Sequence, residues 1–150
     1  MKKIIIVAFL MFVKVLFGQE NSIIGTWNTV TVSSDMFQMN EKKEFTLTEK
    51  GKILHNSKDG ILNLKLGYSE NQFIFTENKD FYVKLSENSK QYVFKGKYEI
   101  DQKNKIINLN LQNLAGTKMN KYFKYSFENN FLKLDAYFGG EPTKYILERK

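Results

Sequence analysis

The chain has 150 residues, 42% of them hydrophobic and 15% aromatic, with 23 basic and 16 acidic side chains, one His, one Pro and no Cys. That is material for one core, and the missing cysteines exclude disulfide scaffolds, thiolate metal sites, thiol nucleophiles and a cysteine-linked lipid anchor. A single His leaves no paired-imidazole metal site, so the composition points to a binding protein rather than an enzyme, with no cofactor and no metal expected.

Residues 1–18 read as a signal peptide. Met1, Lys2 and Lys3 make a positive start, residues 4–13 are an unbroken apolar run, and after Lys14 the stretch Val15-Leu16-Phe17-Gly18 gives way to Gln19-Glu20-Asn21-Ser22. Cleavage is expected after Gly18, leaving residues 19–150 as one domain, secreted or periplasmic. A retained N-terminal anchor is the alternative, but the run is short for a bilayer span, so no transmembrane segment is expected in the mature form. Cleavage removes three lysines and no acid, which takes the net charge from +7 to +4. The remaining lysines are spread along the chain with no run longer than Lys42-Lys43, so no nucleic-acid partner is expected.

Beyond residue 22 period-2 alternation dominates. The first strand is expected over 23–32. The only helical candidate is 34–43, where Ser34 or Asp35 could cap a turn carrying Met36, Phe37 and Met39. These three belong on the core or form a lid over a cavity mouth. Further strands are expected over 44–48, 52–55, 61–66, 72–76 and 81–85, separated by turns at 49–51, 57–60, 67–71 and 77–80. The clearest strand is 91–100, with Tyr92, Phe94, Gly96, Tyr98 and Ile100 on one face and Val93, Lys95, Lys97 and Glu99 on the other. Residues 101–104 turn it into 105–111, where Ile107, Leu109 and Leu111 share a face. A second hairpin places Phe123, Tyr125 and Phe127 opposite Leu132, Leu134 and Ala136 across Asn129-Asn130, residues that tolerate the positive φ of a tight turn. Gly139-Gly140-Glu141-Pro142 precedes a last strand over 143–149. The fold class expected is all-β, an antiparallel up-and-down barrel of eight to ten strands, with a short helix or turn after the first strand. An immunoglobulin-type sandwich would alternate too, but its two cysteines around a tryptophan are absent.

Gly25-Thr26-Trp27 in the first strand resembles the Gly-x-Trp signature of lipocalins. Arg149, the only Arg in the chain, stands in Tyr145-Ile146-Leu147-Glu148-Arg149 of the last strand. The resemblance implies that Arg149 packs across Trp27 and closes one end of the barrel, with Gly25 beside it. Phe45-Thr46-Leu47 followed by Gly51, and Gly96-Lys97-Tyr98-Glu99-Ile100, are similar to the bacterial lipocalin-like domains common in Bacteroidetes envelope proteins. The resemblance covers residues 23–149; residues 60–85 match less clearly, and ten or eleven strand candidates stand where a lipocalin has eight. Barrel topology adds an independent expectation. With an even strand count the start of the first strand and the end of the last share a rim, which places Met36, Phe37 and Met39 at the opposite, open end.

A barrel of this size is filled by side chains or holds one small ligand. The inward candidates Tyr92, Phe94, Tyr98, Phe123, Tyr125 and Phe127 suit a small hydrophobic ligand with a few polar groups, whose identity the sequence does not give. The alternative is a filled barrel acting on an envelope protein partner, with exposed Phe73 or Phe81 marking the face. No catalytic residue is expected: His55, Ser57 and Asp59 fall in one turn, where local backbone hydrogen bonds are the ordinary outcome, and Glu41, Glu44, Glu77 and Asp80 lie beside lysines in loops. An inside-out membrane barrel would need longer strands than these.

Overall fold

A sheet that is apolar on one face must cover that face, and this one does so by closing on itself. The structure, a computed structural model, describes residues 22–54, 57–68, 70–84, 92–137 and 142–150. Its strands are β1 (Gly25–Ser33), β2 (Phe37–Met39), β3 (Phe45–Leu47), β4 (Gln72–Phe75), β5 (Asp80–Lys84), β6 (Tyr92–Asp101), β7 (Ile106–Asn113), β8 (Lys118–Glu128), β9 (Phe131–Tyr137) and β10 (Thr143–Arg149). Two helices, α1 (Glu49–Leu54) and α2 (Lys58–Tyr68), lie between β3 and β4. Eight strands, β1 and β4 to β10, pair antiparallel in sequence order, and β10 returns to β1 to close the barrel. The fold is thus the all-β up-and-down barrel the alternation predicts. The signal-peptide and cleavage-site expectations, residues 1–18 and Gly18 included, lie outside the described residues, as does the Gly139-Gly140-Glu141 turn.

β1 is the seam. One edge pairs with β10 from Trp27↔Arg149 to Ser33↔Lys144. The other edge is shared: Gly25 to Asn28 pair with β4, and Val32 and Ser33 pair with β2, whose hairpin partner is β3. A register shift between Thr29 and Thr31 marks the changeover. The loose backbone there is satisfied from outside the ladder, since Thr29 N–H donates to the Asn71 carbonyl at 3.1 Å and the Lys43 ammonium donates to the Thr29 carbonyl.

Residues 34–43 are not helical: 37–39 form β2, with Phe37 and Met39 buried and Gln38 exposed. The helices stand instead at 49–54 and 58–68, where strands were expected over 52–55 and 61–66. Their caps explain them. Thr48 Oγ1 accepts from Gly51 N–H at 3.1 Å, and Ser57 Oγ accepts from Gly60 N–H at 3.0 Å, each an N-cap three residues ahead of its donor. The run Leu62-Asn63-Leu64-Lys65-Leu66 alternates like a strand, yet it coils and leaves Leu62 51% exposed. No helix among the described residues is long and apolar enough to cross a membrane.

Turn chemistry sets the remaining registers. Asn129 and Asn130 take φ of 48° and 67° between β8 and β9, the tight turn their pairing predicts. Asp101 caps the β6–β7 turn through Asn104, whose two hydrogen bonds hold the Asp101 carboxyl below its ordinary value. Gly96 permits the close approach of β6 to β7. A Cβ there would stand 1.9 Å from the Asn110 carbonyl oxygen. Gly96→Ala is expected to lower the unfolding free energy by about 2–3 kcal/mol, read from urea denaturation. An unchanged midpoint would mean that the two strands separate freely at that point.

Candidate functional site

At the rim where β1 begins, Trp27 is 1% exposed and its indole Nε1 donates to the Ile23 carbonyl at 2.9 Å. The Arg149 guanidinium lies over the indole at 4.8 Å and donates onward to the Ser22 carbonyl. Phe127 packs 6.0 Å from the same ring. Gly25 has φ of 144°, a conformation that side-chain-bearing residues rarely adopt. The three residues that the resemblance assigns to a closed end thus stand together at this rim. A planar guanidinium on an indole is worth about 0.5–2 kcal/mol.

In the middle of the barrel the rings pack one another. Phe73 touches Phe81, Phe123 and Tyr145 at centroid distances of 6.4, 6.2 and 4.9 Å, and Phe81 meets Phe123 at 5.7 Å. Phe73 is 2% exposed and Phe81 fully buried. Neither can mark an interaction face, because both project from the inward side of their strands.

Of the six wall candidates, five face inward. Phe123 and Tyr98 are buried, and Phe94, Tyr125 and Phe127 pack against the core from its edges. Tyr98 also donates its hydroxyl to the Thr76 carbonyl at 2.7 Å. Tyr92 is the exception. The β5–β6 ladder steps from Val83↔Phe94 to Lys84↔Tyr92, so the extra residue Val93 turns Tyr92 to the outside, where its ring packs against Tyr82 at 4.7 Å, tilted by 39°.

The end opposite Trp27 lies beneath the β2–β3 hairpin and the helices. Phe37 is fully buried, stacked on Phe45 at 4.9 Å and against Tyr68 at 4.7 Å; Met39 is buried and Met36 partly so. Their place at this end is the one topology predicts, on a strand and not on a helix. Polar groups that the sequence did not single out collect here. Thr29, 3% exposed, donates its hydroxyl to the Asn71 carbonyl at 2.8 Å. The side-chain oxygen of Asn71, a residue 6% exposed, is buried with no hydrogen-bond partner among the described residues. An asparagine just before a strand reads as a turn residue, so only the fold reveals it as an interior acceptor.

No group of three His, Cys, Asp or Glu side chains among the described residues is placed to hold a metal ion. Ser57 serves as a helix cap, and His55 lies outside the described residues. Compared with known protein families the chain matches no family model, and compared with curated proteins it matches none.

Burial raises the phenol pKa of Tyr145 furthest, and the Tyr68 hydroxyl adds to it. Tyr68, Tyr98 and Tyr125 are raised above 10.0 first by burial, with Asp80 adding at Tyr98 and Asp101 at Tyr125. The folded chain therefore holds these protons more tightly than the unfolded chain, and the associated stability is complete below about pH 10 and lost as pH rises past it. Lys43, lowered by burial against the pull of Glu148 and Glu70, acts in the opposite sense over the same range. The comparison with Tyr145→Phe isolates the phenol: urea midpoints measured from about pH 8 to 11 should fall less steeply in the variant. Parallel slopes would contradict the assignment.

Proposed function

We propose that the chain is a non-catalytic, extracytoplasmic, lipocalin-like barrel that binds one small hydrophobic molecule at its helix-covered end. The observation that carries this reading is the buried side-chain oxygen of Asn71, which has no hydrogen-bond partner among the described residues. Leaving such an acceptor unmade costs about 1–3 kcal/mol, and a ligand N–H or O–H would satisfy it. The packed rings at the centre support the covered end over the full length of the barrel. The cover itself is lightly held, because Ile53 is 77% and Leu54 58% exposed and contribute little buried apolar surface. The Gly25, Trp27 and Arg149 arrangement supports the family resemblance, and the pattern of residues 1–18 supports export.

The filled centre also favours the second reading, a barrel that engages an envelope protein without a small ligand. Native mass spectrometry of the protein purified from its own cells, followed by solvent extraction, separates the two. A discrete small adduct is expected, absent from Asn71→Leu and retained in Tyr92→Ala, whose side chain faces outward. Because Leu removes an unpaired acceptor at nearly constant volume, Asn71→Leu should be at least as stable as the parent protein. A bare protein mass, together with no uptake of a fluorescent fatty acid, would overturn the ligand reading in favour of the filled barrel.

A further inference from the structure

We infer a second binding surface on the outside of the barrel: a groove across β5, β6, β7 and β8 that takes an anionic oligosaccharide. Its main hollow, about 390 Å³, has the β6–β7 backbone at Gly96 and Leu111 as floor. It runs on through Lys95 and Gln112 into a second hollow of about 240 Å³ beside Tyr92 and Leu114. The surface is independent of the interior site, since its side chains occupy the opposite face of the same strands.

Three features define the ligand class. The first is charge. Lys97 is neutralised by Asp80 at 2.6 Å, whereas the exposed Lys95 and Lys118 have no ion-pair partner among the described residues, so the groove carries uncompensated positive charge. The second is a pair of carboxamides, Asn110 and Gln112, two residues apart on the outer face of β7. Each offers a donor and an acceptor on one planar group, which matches a hydroxyl that must both donate and accept. Gln112 donates to the Gly116 carbonyl at 3.2 Å, which orients its amide and leaves its oxygen as an acceptor for a ligand. The third is the Tyr82–Tyr92 pair along the wall, an apolar surface for the C–H face of a sugar ring.

Other polyanions fit less well. All four strands are paired on both edges inside the closed barrel, so an extended peptide has no free backbone to join and would have to rely on side chains alone. A single-stranded nucleic acid would need a run of cations along its phosphates, and among the described residues lining the groove only Lys95 and Lys118 are unpaired.

The test is a titration of the ¹⁵N-labelled protein followed by amide chemical shifts. The probe is a galacturonic acid tetramer, with cellotetraose, hexaglutamate and oligothymidylate as comparisons. The tetramer should shift the amides of Lys95, Asn110, Gln112 and Lys118 saturably, and each comparison should bind at least tenfold more weakly. Lys95→Glu combined with Lys118→Glu, both exposed and outside the core, should weaken the tetramer at least tenfold while the remaining amide spectrum stays that of the folded protein. Absence of shifts at these residues, equal binding of cellotetraose, hexaglutamate or oligothymidylate, or indifference to the double substitution would each overturn the proposal.

Discussion

Everything in this molecule depends on β1 having two edges in use at once. A sheet becomes a barrel only when its last strand finds its first, and β10 lies along β1 from Trp27↔Arg149 to Ser33↔Lys144. The opposite edge is divided, four residues to β4 and two to β2. The division allows a long excursion between the first and second barrel strands without leaving β1 bare. The register shift in the β1–β10 ladder falls between the two parts of that edge, and there the Thr29 backbone is satisfied by Asn71 and Lys43. The polar groups at the covered end are thus a consequence of how the barrel closes, and the proposed ligand site inherits its acceptor from that closure.

Period-2 alternation sends successive side chains to opposite faces, so one strand can serve two surfaces. On β6, Phe94 and Tyr98 point into the core while Lys95 and Lys97 stand outside. Gly96 between them lets the strand approach β7 and leaves the outer groove with a backbone floor. The Val93 bulge then moves Tyr92 from the interior to this outer surface, adding an aromatic wall that simple alternation assigns to the core.

Most of the barrel was legible because its strands obey local rules. The β6–β7 and β8–β9 hairpins followed from clean alternation joined by Asp, Lys and Asn turns, and the Trp27–Arg149 contact followed from a resemblance combined with strand parity. The helices were not legible. Leu62-Asn63-Leu64-Lys65-Leu66 alternates like a strand, and a glycine at the third position of each helix masked the caps at Thr48 and Ser57. The Tyr92 reversal depends on one extra residue in a ladder, and the Asn71 acceptor on a contact with Thr29 across 42 positions of chain. Neither leaves a local pattern to read.

The central claim is that β1 and its barrel neighbours form one cooperative unit, while the hairpin and helices that cover the open end can part from it. Native-state amide hydrogen exchange tests this directly. The account predicts that the Lys150 amide, bonded to the Thr26 carbonyl at the sealed seam, exchanges only on global unfolding. The Lys52 amide, bonded to the Thr48 carbonyl in α1, should exchange through a local opening several kcal/mol cheaper, on the order of half the global value. Equal opening free energies at the two positions would contradict it, for the cover would then be part of the same cooperative core.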